Sequence, residues 1–217
     1  MMKQFVVIGL GNFGYYLATN LYKMGHEVLA IDNNSEKVQN IKNEVSRAVV
    51  ADSTNKNVLE SLGVHDVDAT IVCMGTCLES SILTTLNLKD IGVKRIIAKA
   101  ISNTHSRLLQ KVGASEVIFP DRDQALSLTE QLQNPNVLEY LPFVEGYSIL
   151  EIAPPKEFIG KNLRELNLIN RYGIQVLAVK EIIPDRINMI PTSEFVLKES
   201  DLLILLGPND SLNNLQN

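Results

Sequence analysis

A glycine-rich segment at residues 9–14 constrains the fold of this chain more than any other feature. It carries Gly9, Gly11 and Gly14 in a Gly-x-Gly-x-x-Gly spacing, directly after an apolar run at residues 5–8. The first glycine permits a tight turn, the second leaves room for a pyrophosphate, and the third lets a helix pack on a strand. Asn12 and Phe13 then fall where the free N–H groups of a helix N-terminus favour anions. The segment predicts a phosphate-binding strand-turn-helix unit; a tight turn that binds nothing is the alternative.

The rest of the N-terminal half repeats this rhythm of short apolar runs and amphipathic stretches. Such alternation is typical of a parallel sheet covered by helices on both faces. We therefore predict an α/β fold with a Rossmann-like doubly wound parallel sheet. The six predicted strands are residues 5–8, 28–31, 47–50, 70–73, 95–98 and 116–119.

The pattern changes after residue 120 and predicts a second, smaller α+β domain. A helix is predicted at residues 123–132, a break at 134–136 and a connector at 137–141, followed by strands at 147–153, 175–181 and 202–206. We expect the nucleotide-binding domain to span residues 1–133 and the second domain 134–217.

Asp32 lies at the end of the second predicted strand, followed by Asn33. A carboxylate there can accept hydrogen bonds from both ribose hydroxyls and would repel a 2′-phosphate, so NAD or an adenine nucleotide is favoured over NADP. A helix-capping turn is the alternative interpretation of Asp32.

The later strand ends carry further candidates for the same crevice, because the carboxyl ends of parallel strands meet at one edge of a sheet. Asp52 and Ser53 end the third strand and could cap a helix or touch adenine. Met74 and Gly75 follow the fourth strand. Lys99 ends the fifth strand, and either faces the phosphates or lies in solvent.

Composition excludes several other functions. The net charge is −5 without a long basic block, which argues against nucleic-acid binding. The apolar runs are too short to span a bilayer, so we expect no direct membrane insertion and a cytoplasmic location. Cys73 and Cys77 are interpreted as reduced, buried thiols. No spacing of His, Cys, Asp or Glu suggests a nucleophile with its base, so we expect no enzyme; an NAD-dependent oxidoreductase is the alternative.

The whole chain resembles the RCK (regulator of conductance of K⁺) family, in particular its KtrA/TrkA-type subunits. The resemblance rests on residues 5–14, 24–32, 80–86, 112–120, 159–168 and 200–207. It implies a cytosolic regulatory subunit that dimerises, assembles into an octameric ring and docks on an integral-membrane potassium-transporter subunit at the inner face of the membrane. Exchange of ATP and ADP, or of NAD(H), would then move the gate. It implies a binding site at Gly9, Gly11, Asn12, Phe13, Gly14, Asp32, Asp52, Ser53, Gly75 and Lys99.

Three further expectations come from the same resemblance. Related subunits carry arginine where this chain has Asn12, and asparagine replaces neither its charge nor its fork. Asp121 stands where relatives place an acidic residue that binds a divalent cation; a turn aspartate is the alternative. In the second domain, Leu163, Arg164 and Pro191 match positions that bind cyclic di-AMP in several relatives.

Overall fold

A computed structural model describes residues 2–75, 77–133 and 137–215 of the chain. The chain divides into two compact units, Met1–Asp121 and Arg122–Asn217. The predicted break at residues 134–136 lies outside the described residues, and the predicted boundary between residues 133 and 134, which adjoins it, stays a prediction.

The first unit contains a six-stranded sheet in which every pairing is parallel. Its strand order, β3-β2-β1-β4-β5-β6, is that of a doubly wound Rossmann sheet, so the predicted fold class is confirmed. The order reverses beside β1, and this opens a crevice at the carboxyl ends of β1 and β4. The strands are β1 Gln4–Ile8, β2 Glu27–Asp32, β3 Arg47–Val50, β4 Ala69–Val72, β5 Ile96–Lys99 and β6 Glu116–Ile118.

Helices cover both faces of this sheet. Neighbouring strand residues point to opposite sides, so each face carries its own apolar side chains for the helices to bury. Val6 and Ile8 of β1 belong to one buried cluster, and Val7 between them belongs to another. Side-chain caps define several helix starts: Asn34 accepts the Glu36 and Lys37 N–H groups ahead of α2. The helices are α1 Asn12–Lys23, α2 Ser35–Ile41, α3 Lys56–Ser61, α4 Leu78–Ile91 and α5 Asn103–Lys111.

The second unit is built on a five-stranded antiparallel sheet with the order β10-β9-β11-β8-β7. Residues 137–141, predicted as a connector, are instead part of the edge strand β7. Its core is an apolar cluster that includes Ile152, Phe158, Leu197 and Leu203. The elements that follow β6 are α6 Pro120–Gln133, which includes the boundary between the two units, and then β7 Val137–Val144, β8 Tyr147–Ile152, α7 Leu163–Leu166, α8 Leu168–Tyr172, β9 Gln175–Glu181, β10 Arg186–Met189, β11 Asp201–Pro208 and α9 Asn209–Asn214.

A buried carboxylate with two exposed cationic partners, an ion cluster, lies at the end of β9. The Glu181 side chain is 1% exposed and accepts hydrogen bonds from Arg186 Nε at 2.6 Å and Lys198 Nζ at 2.8 Å. These bonds, that from Arg186 foremost, lower the pKa of the Glu181 carboxyl below its usual value.

No helix in the described part of the chain is both long enough and apolar enough to cross a bilayer.

Candidate functional site

The glycine loop presents the N-terminus of α1 to the crevice. Gly11 precedes the helix with φ −69° and ψ 179°, and no side chain caps this helix. The first helical hydrogen bond runs from the Tyr15 N–H to the Gly11 carbonyl at 2.9 Å. The N–H groups of Asn12, Phe13 and Gly14 therefore precede the intrahelical ladder and face the end of the helix where an anion is favoured.

The local geometry at the three glycines is compatible with the purposes that the sequence predicts, and phosphate binding there stays a prediction. Gly9 has φ +94°, a left-handed conformation that L-residues rarely adopt. A Cβ on Gly14 would lie 2.0 Å from the Gly9 carbonyl oxygen, so only glycine lets α1 approach β1 this closely. Apart from its chain neighbours, a Cβ on Gly11 would meet no atom of the described residues within 4 Å, which leaves open space where the predicted phosphates would lie.

Asp32 ties the glycine loop to the end of β2. Its Oδ2 accepts the Leu10 N–H at 2.6 Å and its Oδ1 accepts the Asn34 N–H at 2.8 Å. Lys37 Nζ lies 3.8 Å from Oδ2. The residue is 8% exposed and still lines the crevice, so its remaining lone pairs are available to a ligand. Asn34 is the N-cap of α2, and the bond from the Asn34 N–H to Asp32 Oδ1 forms a local turn ahead of this helix, so the capping-turn interpretation of Asp32 and its role in ribose binding both stay predictions.

Asp52 and Ser53, at the end of β3, do not cap the next helix. Asn55, and neither Asp52 nor Ser53, caps α3 by accepting the Asn57 N–H. Asp52 instead accepts the Thr54 hydroxyl at 2.6 Å and the Thr54 N–H at 2.9 Å. These bonds, that from the hydroxyl foremost, lower the pKa of the Asp52 carboxyl, which stays ionised at neutral pH.

Ser53 is buried beneath the crevice. Its hydroxyl lies 3.1 Å from Thr84 Oγ1 and 3.8 Å from the Met74 sulfur. These contacts join the end of β3 to Met74, which follows β4, and to Thr84 on α4, while Ser53 also lines the cleft.

Lys99 lies on the opposite wall of the crevice and faces α1. Its Nζ is 5.8 Å from the centroid of the Phe13 ring and 2.7 Å from Asp121 Oδ2. The Lys99 side chain is only 13% exposed, whereas that of Asp121 is 76% exposed. The solvated-surface interpretation of Lys99 is therefore wrong, and its ammonium group is positioned near the N-terminus of α1.

These elements enclose a cleft of about 500 Å³. Of the predicted nucleotide-site residues, Gly14 alone is absent from its lining, because it packs beneath the loop. The predicted lining residues are Gly9, Gly11, Asn12, Phe13, Asp32, Asn33, Asp52, Ser53, Met74, Gly75 and Lys99, together with the predicted metal ligand Asp121.

Sequence reasoning missed several lining residues, of which Lys37 is the most informative. It lies on α2, one turn beyond the Asn34 cap, and only the folded βαβ unit brings its ammonium group to Asp32. Cys77, predicted to be buried, is exposed at the start of α4, and Ser80 Oγ lies 3.0 Å from its sulfur. The other missed residues are Ile8, Ile31, Ala51, Thr54, Cys73, Ser80 and Ile101.

A histidine and a serine pair outside the cleft. His105 Nε2 lies 2.8 Å from Ser81 Oγ, and both residues are buried. Burial lowers the pKa of the His105 imidazole. Neither residue lines the cleft, so the pair is placed as a core contact rather than beside a bound ligand.

Leu163, Arg164 and Pro191 come together in the second unit. They line a separate pocket of about 490 Å³ with α8 and the start of β9. Arg164 contacts Glu194 at 2.5 Å and Ser193 at 3.4 Å. The pocket is thus partly apolar with one guanidinium at its edge, and its predicted ligand, cyclic di-AMP, stays a prediction.

The predicted cation site at Asp121 is not built from several ligands within the described residues. Among residues 2–75, 77–133 and 137–215, no three His, Cys, Asp or Glu side chains cluster as a metal site would require. The contact of Asp121 is with the Lys99 ammonium group. Its role as a metal ligand stays a prediction.

Two family descriptions cover almost the whole chain. The TrkA-N domain matches residues 5–120 and the TrkA-C domain matches residues 147–217. The chain is 36% identical to the Ktr system potassium uptake protein A of Bacillus subtilis over 215 residues, which is 99% of this chain and 96% of that protein. This chain belongs to the KtrA/TrkA family. The Ktr system potassium uptake protein C of the same organism is 37% identical and covers 95% of this chain and 93% of its own length.

Solved structures of RCK proteins share the fold of this KtrA/TrkA chain. The RCK domain of GsuK superposes with a TM-score of 0.67 at 21% identity and covers 100% of this chain. The GsuK channel bound to NAD superposes with a TM-score of 0.68 at 21% identity and covers 99% of this chain. This chain spans 47% and 39% of those two chains, respectively. The predicted family and fold are confirmed.

Proposed function

We propose that this chain is the nucleotide-sensing regulatory subunit of a Ktr/Trk-type potassium transporter. In this proposal, dimers of the chain assemble into an octameric ring that docks on an integral-membrane transporter subunit at the cytoplasmic face. ATP and ADP, or NAD(H), bind in the cleft of the first unit and rearrange the ring. A ligand moves such an equilibrium only as far as its affinities for the two states differ.

One observation carries the proposal. In a chain similar over 99% of its length to a potassium uptake protein, the uncapped N-terminus of α1 opens into a cleft that also holds Asp32. The helix end supplies N–H groups for phosphates, and the carboxylate supplies acceptors for ribose hydroxyls. Asn12 offers no charge to a neighbouring protomer, so we expect Lys99 to be the main phosphate cation of each site.

The oxidoreductase alternative has less support. Hydride transfer to most substrates needs a group that exchanges a proton within hydrogen-bond reach of the reacting carbon. Among the described lining residues, Lys99 is engaged by Asp121, and burial raises the pKa of the Cys73 thiol to about 12. The named relatives are uptake proteins, which also favours regulation over catalysis.

The decisive experiment combines calorimetry with light scattering on the full chain. We expect ATP, ADP or NADH to bind, and ligand exchange to change the mass or radius of the oligomer. A monomer that ignores all three nucleotides would rule out the ring proposal. Reduction of NAD⁺ by any of a panel of small alcohols would instead favour the oxidoreductase.

A further inference from the structure

One wall of the cleft is built from two segments that are distant in the sequence. Cys77 and Ser80 belong to the start of α4, whereas Lys99 and Ile101 belong to the end of β5 and the residues that follow it. The pairing of β4 with β5 ends at Val72 and Ala98, before either segment begins. Side-chain contacts are therefore needed to fix one segment relative to the other.

The His105 side chain joins these two segments. Its Nδ1 accepts the Ile101 N–H over 3.5 Å, and its Nε2 lies 2.8 Å from Ser81 Oγ. A neutral imidazole that accepts at Nδ1 carries its proton on Nε2, so it donates to Ser81. The Ser81 hydroxyl in turn donates to the Leu78 carbonyl at 3.1 Å. A directed chain of hydrogen bonds thus runs from Ile101 through the ring to the first turn of α4.

The position and the protonation state of this ring are both fixed by its surroundings. His105 is 1% exposed and Ser81 is 0% exposed. The His105 N–H donates to Ser102 Oγ, the N-cap of α5, which holds the backbone that carries the ring. Burial lowers the pKa of the imidazole, so the ring is neutral at pH 7. The neutral ring is the form that can accept at one nitrogen and donate at the other.

Ile101 packs beside the residues that would meet a ligand. A Cβ on Gly75 would lie 3.4 Å from Ile101 Cγ2 and 3.7 Å from Lys99 Cε, so these three residues form one packed group. All three line the cleft. A shift of Ile101 would therefore change the cleft surface beside the Lys99 side chain.

We propose that His105 is a positioning residue of the nucleotide site, which holds Ile101 and the start of α4 in the arrangement that binds the ligand. This inference rests on the proposed nucleotide-binding function. His105 does not line the cleft, so it acts on the ligand through the residues that do. A wall that is ordered only when the ligand binds costs affinity, whereas a wall that is already fixed does not.

Calorimetry with ATP and NADH on the full chain tests this role, with urea unfolding to measure stability separately. His105→Leu removes both ring hydrogen bonds and should weaken the binding of either nucleotide about 3- to 30-fold. His105→Gln places an amide donor within reach of Ser81 and should recover part of that loss. His65→Leu is the matched control, because the His65 side chain is 52% exposed and does not line the cleft. We expect it to leave both affinities unchanged.

A second substitution tests the hydrogen bond itself. Ser81→Ala should also weaken ATP binding, and the double variant with His105→Leu should lose less than the sum of the two single losses. A purely structural role would lower the urea midpoint of His105→Leu but leave the affinity of its folded fraction unchanged, and that result overturns the proposal. Additive losses, or a glutamine variant that binds no better than the leucine variant, overturn it as well.

The test still decides if the leucine variant does not fold. In that case unchanged ATP affinity in the Ser81→Ala variant overturns the positioning role. All of these negative results leave the proposed function standing, because the unaltered chain still binds nucleotide. Absence of nucleotide binding by the unaltered chain overturns both proposals.

Discussion

A pair of alanine substitutions in the glycine loop should separate folding from binding. Gly14→Ala would place a methyl group 2.0 Å from the Gly9 carbonyl oxygen, a backbone atom that moves only if α1 or the loop moves. Alanine is favoured over glycine in a helix by about 1 kcal/mol, but overpacking of this kind typically costs about 1–3 kcal/mol. We expect a net loss of stability and weaker nucleotide binding.

Gly11→Ala adds the same methyl group where, apart from the chain neighbours of Gly11, no atom of the described residues lies within 4 Å. Its φ of −69° suits alanine, so the folded chain should be as stable as before or up to about 1 kcal/mol more stable. The steric cost then falls on the ligand. A cost of about 1–3 kcal/mol corresponds to roughly a 5- to 150-fold loss of affinity.

The assays are urea unfolding, followed by circular dichroism, and calorimetry with ATP and NADH. Gly25→Ala is a useful comparison for unfolding, because Gly25 has φ +85° with no neighbour within 4 Å and should report backbone strain alone. Undiminished nucleotide affinity in the Gly11→Ala variant would refute the placement of phosphates at this loop. Undiminished stability in the Gly14→Ala variant would refute the close packing of α1.

Three further outcomes follow from the described contacts. Asp32→Ala should abolish ribose recognition in calorimetry and lower the free energy of unfolding by roughly 1–3 kcal/mol, since two backbone N–H groups lose their acceptor; unchanged stability would contradict these bonds. Because the pKa of Glu181 is lowered on folding, its stabilising effect should be full above about pH 4.3 and disappear as the pH falls further. Glu181→Gln should therefore flatten the acid side of the urea-midpoint profile and the exposed Glu199→Gln should not; equal profiles would refute the ion cluster. Cyclic di-AMP should give a binding heat that Arg164→Ala removes and Arg171→Ala retains, and no heat at high protein concentration would exclude this ligand.

The central strands of the first unit could be predicted from the sequence because both faces of a parallel sheet are buried. Burial on both sides makes a strand such as β4 almost wholly apolar, and the pattern is then unmistakable. The edge strands β7 and β10 of the second unit were missed because an edge strand need not be apolar throughout. Most residues of β10 are exposed. Pro142 lies within β7, and proline is tolerated in a strand at the edge of a sheet, where a ladder N–H is dispensable.

Some residues of the candidate site could be predicted from the local sequence, whereas others depend on contacts between residues that are distant in the sequence. The glycine loop and Asp32 are predictable because each follows its own strand directly, and parallel strands bring their carboxyl ends together. Lys37 and the pair formed by Lys99 and Asp121 depend on side chains from separate elements meeting in space. Spacing along the chain carries no signal for such meetings, so Lys99 was predicted equally as a phosphate ligand and as a surface residue.

The bond from the Leu10 N–H to Asp32 has a consequence for how this cleft could change its ligand during evolution. The carboxylate that would receive the ribose also anchors the loop that would receive the phosphates. A mutation that replaces Asp32 and so removes ribose binding therefore also removes the hydrogen bond that holds the glycine loop. A descendant that no longer sensed nucleotides would need a second substitution to secure residues 9–11, so drift away from nucleotide binding is hindered at its first step.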